Sequence, residues 1–194
     1  MQNDFSKGDI KPLIVRLALP TIAAELVNVL YNIVDRMYIG RLEGVGDMAL
    51  AGVGISFPLI IIVSAFALLF GMGGAPLCAI SRGEGKNEYA ERVMGNALTM
   101  LLISGVVLTI VGLIVKRPLL VLFGASENTI GYADEYLGIY LIGTLFVMIS
   151  MGLNPFINAQ GFTRVGMVSV VIGAFLNVVL DPIFMFAPWP APLP

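Results

Sequence analysis

Two aspartates and one asparagine have the residue types and spacing for reversible binding of a small cation. Asn177 and Asp181 stand four residues apart, one helical turn, in the apolar run IGAFLNVVLDPIFMF, and Asp35 lies late in another apolar run, LIVRLALPTIAAELVNVLYNIVDRMYIG. Dehydration disfavours the charged form of a carboxyl, and a neighbouring amide hydrogen-bonds either protonation state. Acids so placed suit the loading and release of a proton within a membrane. The bland alternative is that each aspartate caps a helix end or meets interfacial water. A second polar group accompanies Asp35. At about 100° per residue, Thr21, Glu25, Asn28, Asn32 and Asp35 follow at steps of four, three, four and three and share one helix face. The remaining faces are Leu, Val, Ile and Ala, and a charge turned toward lipid costs at least a few kcal/mol, so the stripe belongs against protein or a water-filled cavity. Glu25 is nearest the middle of its helix; it either protonates with a transport cycle or stays neutral, tied to Asn28 or another helix.

Composition limits what these acids can do. Of the 194 residues 58% are hydrophobic and 12% charged, and the mean hydropathy is +0.92, well outside the soluble range. The chain reads as an all-α integral membrane protein. There is no histidine and a single cysteine, Cys78, which excludes an internal disulfide and argues against zinc or triad catalysis. No enzymatic activity, cofactor or metal is expected. A net charge of −2 argues against a nucleic-acid surface. Gly44-Val45-Gly46-Asp47 spells the GxGD tag of intramembrane aspartyl proteases, but it follows Arg41 and Glu43 in what reads as a turn outside the membrane. The glycines of SRGEGKNEYAER follow no strand and precede no Gly-Lys-Ser/Thr, so they do not form a nucleotide-binding loop.

A spanning helix needs about 20 mostly apolar residues, and the charges divide the chain into five such segments, about 13–38, 49–77, 93–115, 136–158 and 165–186. Pro20 should kink the first by removing a backbone hydrogen bond. The cluster Gly71, Gly73, Gly74, Ala75 and Pro76 should let the second approach a neighbour closely. Lys116, Arg117 and Pro118 should end the third, with FGASENTIGYADEY as a loop and short re-entry in which Ser126 is a candidate N-cap. The first apolar stretch is too long for a signal peptide and is expected to be retained. Lys7, Lys11, Arg16, Arg82, Lys86, Arg92 and Arg164 fall on the side of the N-terminus, against Arg36, Arg41, Lys116 and Arg117 opposite. That bias places the N-terminus in the cytoplasm of a multi-pass plasma (inner) membrane protein.

LALPTIAAELVNVLYNIVDRMYIG, GMGGAPLCAISRGEGK, NAQGFTR and IGAFLNVVLDPIFMF, in that order and over about residues 10–186, resemble the first, second, fourth and fifth helices of bacterial multidrug and toxic compound extrusion (MATE) transporters. The resemblance implies most of one six-helix lobe, the N-terminal one, of a twelve-helix antiporter. Such an antiporter exports cationic or amphipathic compounds in exchange for protons or sodium, and the proton is the coupling ion expected here. The resemblance carries the family's ion site onto Asp35, Asn177 and Asp181, with Asn154 as a further amide, and its proposed hinge onto Pro20. Glu25 belongs to no motif of the family. Lipid-linked-oligosaccharide flippases share the wider superfamily and match LYNIVD and NVVLDP less well. The closing octet, APWPAPLP (187–194), resembles no family sequence and cannot be helical. On this reading the chain is a truncated lobe that needs a missing second lobe or self-association to transport, or is itself a non-transporting membrane fragment or assembly subunit.

Overall fold

The computed structural model describes residues 10–186, and the proline-rich octet falls outside them. Those residues form five helices joined by short turns: α1 (Ile10–Ile39), α2 (Gly46–Gly83), α3 (Asn87–Leu122), α4 (Ile130–Ala159) and α5 (Thr163–Phe186). All five are long and apolar enough to cross a membrane. Most run further at both ends than the apolar windows in the sequence. Hydropathy marks only the part that suits hydrocarbon, while polar residues can continue the same helix into the headgroup region. α2, with 38 residues, and α3, with 36, show the excess most clearly.

Two expectations fail at one place. α3 does not end at Lys116-Arg117-Pro118 but carries Pro118 inside it and stops at Leu122. There is no re-entrant piece either, because residues 131–136 already form the first turns of α4. Pro118 forfeits one backbone hydrogen bond, and Lys116, instead of leaving for water, is met by Asp134 of α4 at 2.9 Å. Nor does Ser126 cap α4 with its side chain: the cap position is Thr129, with no side-chain cap bond. Thr129 Oγ1 accepts from the Ser126 N–H at 3.0 Å instead.

The turn after α4 shows how these helices stop. Gly161 takes φ +83°, a left-handed conformation that favours glycine. This lets Phe162 N–H reach the Ile157 carbonyl and Gly161 N–H the Asn158 carbonyl, the paired bonds of a Schellman ending. Gly85 and Gly124 close α2 and α3 in the same way.

The helices form two compact units. In the unit Ala51–Phe162, α4 presents a buried stripe, Ala133, Leu137, Leu141, Thr144, Met148, Gly152 and Phe156, at steps of three and four that keep one face turned inward. Glycines decide how closely its neighbours approach. A Cβ on Gly71 of α2 would lie 2.5 Å from the Gly152 carbonyl oxygen, and one on Gly152 would lie 2.5 Å from Leu101 of α3. Three helices therefore meet at Gly152. Since lipid is as apolar as leucine, such close van der Waals packing, rather than a hydrophobic drive, holds spanning helices together. Interhelical polar contacts add to it: Thr109 of α3 donates to the Leu141 carbonyl at 3.0 Å.

The other unit packs α1 against α5, with the first residues of α2. Leu19 and Leu30 of α1 and Phe175 and Phe184 of α5 are exposed, as lipid-facing residues are.

Candidate ion-coupling site

The α1–α5 contact brings together three of the polar residues singled out in the sequence. Asp35 sits in the last turns of α1, and Asn177 and Asp181 one turn apart on α5. The carboxyls of Asp35 and Asp181 face each other across the contact, close enough to interact directly. Asn177 Nδ2 donates to Asp181 Oδ1 at 3.1 Å. This leaves two buried acceptors, Asn177 Oδ1 and Asp181 Oδ2, with no donor. Arg36 lies close enough for its field to reach Asp35.

Chemically this is a set of oxygens short of positive charge. Two carboxylates cannot hydrogen-bond each other until one holds a proton, and a buried acceptor without a donor carries a desolvation cost. A proton shared by the pair, or a small cation held by the carboxyl and amide oxygens, supplies what is missing. Pro182 follows Asp181 directly and has no N–H for the carbonyl one turn back, which loosens the helix beside the acid. Pro20 lies inside α1 and has the same local effect there.

The remaining candidates are distributed differently. Asn154 belongs to the other unit, where its Oδ1 accepts from Asn158 Nδ2 at 2.8 Å. On the α1 stripe, Thr21 Oγ1 donates to the Leu17 carbonyl at 3.2 Å, and Asn32 Nδ2 donates to the Asn28 carbonyl at 2.8 Å. Glu25 is exposed.

One polar group escapes a reading of the sequence. Lys116 Nζ bonds both the Asp134 carboxylate, at 2.9 Å, and the Asp134 carbonyl, at 3.0 Å. Gly138 leaves it room, since a Cβ there would lie 3.0 Å from Nζ. The signal is there in principle, as two opposite charges flanking a single turn, but assigning both to a loop hides it.

Five long apolar helices with polar side chains set between them define a multi-pass, all-helical membrane protein. The chain belongs to the MatE family, whose profile matches residues 20–183, and thus to a family of transporters rather than enzymes. It is similar to Multidrug export protein MepA of Staphylococcus haemolyticus, 27% identical over 184 residues that make up 94% of this chain and 40% of that protein. It is also similar to the FAD transporter of Shewanella oneidensis, 26% identical over 93% of this chain and 39% of that one. The crystal structure of MATE in complex with MaD3S superposes with a TM-score of 0.85 at 32% identity, over 92% of this chain and 40% of the other. The chain thus spans about 40% of the length of the proteins it matches.

Proposed function

We propose that this chain is the N-terminal lobe of a proton-coupled antiporter that exports cationic or amphipathic toxic compounds, with Asp35, Asn177 and Asp181 as its proton site. The observation that carries the reading is the Asp35–Asp181 carboxyl pair, next to two buried acceptors that lack a donor. A proton loaded there from outside joins the two helices through a carboxyl–carboxyl hydrogen bond; its release inward leaves two like charges that repel. The α1–α5 contact therefore has two states that differ by one proton. Pro20 serves as the hinge through which α1 responds, and Thr21, Glu25, Asn28 and Asn32 face the substrate path. Residues 1–186 supply one bundle of the transporter with the N-terminus in the cytoplasm, and alternating access requires a second bundle rocking against it.

The test is ethidium efflux driven by a pH gradient in membranes containing the transporter. Efflux should be lost in Asp35→Asn and in Asp181→Asn, and unchanged efflux in both would sink the assignment. Substituting a sodium gradient discriminates the coupling ion, since carboxyl and amide oxygens also suit sodium. The flippase alternative predicts movement of a lipid-linked oligosaccharide in the same membranes, with no ethidium efflux.

A further inference from the structure

Glu25 is left unexplained by the ion site. α1 runs from Ile10 to Ile39, so Glu25 stands fifteen residues from one end (25 − 10) and fourteen from the other (39 − 25). At about 1.5 Å per residue it is roughly 20 Å from either end, which is too deep for a glutamate to reach a headgroup. Its side chain is exposed, among the exposed apolar residues Ile22, Leu26 and Val29. It has no hydrogen bond or ion pair with any described residue. The polar groups above and below it are committed to their own helix, Thr21 to the Leu17 carbonyl and Asn32 to Asn28. Asp35, on the same face, lies against Asp181.

We propose that Glu25 is a specificity-determining residue of the transport path: its carboxylate holds the charge of an organic monocation, while Ile22, Leu26 and Val29 take the ion's apolar body. An unpaired carboxylate on an apolar surface at mid-span calls for a mobile positive partner. The neighbours Ile22, Leu26 and Val29 carry no hydrogen-bond donors, and the only polar side chains within a turn on that face are Thr21 and Asn28, so a bulky cation with its charge shielded by hydrocarbon fits better than a hydrated one. This rests on the transporter reading above but not on its proton site, because substrate charge and coupling charge fall on different carboxyls of one helix.

The experiment uses two ions of the same shape and opposite charge. Tetraphenylphosphonium and tetraphenylborate are titrated by equilibrium dialysis onto the chain in lipid nanodiscs, with binding to empty discs subtracted. Glu25→Gln should weaken tetraphenylphosphonium by about tenfold or more, since a full charge contact is lost in a low-dielectric setting, and leave tetraphenylborate unchanged or tighter. Glu25→Lys should reverse the preference. Equal phosphonium affinity in the parent chain and Glu25→Gln, no saturable phosphonium binding by the parent, or joint loss of both ions in Glu25→Gln each overturns the proposal. The two readings fail separately. Absent gradient-driven efflux with charge-selective binding intact counts against antiport alone, whereas normal efflux and normal binding in Glu25→Gln count against Glu25 alone.

Discussion

Asn177 donates its side-chain amide to Asp181 Oδ1 across one turn of α5, at 3.1 Å, and its own Oδ1 stays buried without a donor. The amide thus holds one carboxyl oxygen in place, while Asp181 Oδ2 is also without a donor. Replacing Asn177 by Leu removes the donor, and losing a hydrogen bond to a charged group costs about 1.5–3 kcal/mol. Gradient-driven ethidium efflux should fall by about tenfold or more, with the protein still present in the membrane at parental level. Parental efflux in Asn177→Leu would remove the amide from the site.

Asp35 and Asp181 act as one unit if they share a proton, and residues that act as a unit are strongly non-additive. Efflux in the double variant Asp35→Asn/Asp181→Asn should be no lower than in either single one. Independent multiplicative losses would mean two separate roles. The pH profile gives a second check. Proton coupling requires efflux to vanish when the gradient is collapsed at constant membrane potential, and neither Asn variant should respond to the gradient.

The Lys116–Asp134 pair joins α3 to α4 with both side chains largely shielded, 21% and 34% exposed. Breaking such a pair from one side strands a charge, whereas removing both partners does not. Lys116→Met should therefore lower thermal stability in detergent, by less than the roughly 3–5 kcal/mol of a fully buried pair because both side chains keep some exposure, and Lys116→Met/Asp134→Leu should recover part of it. Glu88→Gln is the control. Its partner Arg92 lies one turn away on an exposed surface, where such pairs contribute only about 0.3–0.5 kcal/mol.

Gly71 and Gly73 of α2 differ by two residues and should respond oppositely to alanine. A Cβ on Gly71 meets the Gly152 backbone, while one on Gly73 meets nothing within 4 Å. Gly71→Ala should force α2 from α4 and lower stability by about 1–3 kcal/mol, the usual cost of overpacking. Gly73→Ala should be neutral or stabilising by up to about 1 kcal/mol, the helix propensity gained. Melting followed by near-ultraviolet circular dichroism reads both.

Much of this molecule is determined by its sequence alone. Twenty-residue apolar stretches between charges specify five helices, because inside a bilayer an isolated chain can satisfy its backbone only by coiling on itself. The three- and four-residue spacing of Thr21, Glu25, Asn28, Asn32 and Asp35, and of Asn177 and Asp181, places each set on a single face through the helical repeat alone. What the sequence leaves open is which face meets which. Helix partners and lipid are equally apolar, so hydropathy carries no information about pairing. Only the tertiary packing of α1 on α5 sets Asp35 beside Asp181, and only the glycine contacts at Gly71 and Gly152 decide how α2 and α4 approach. The same blindness hides the Lys116–Asp134 pair. A lysine followed by arginine and proline reads as a helix end by local rules, and the carboxylate that makes it tolerable within a longer helix comes from another element.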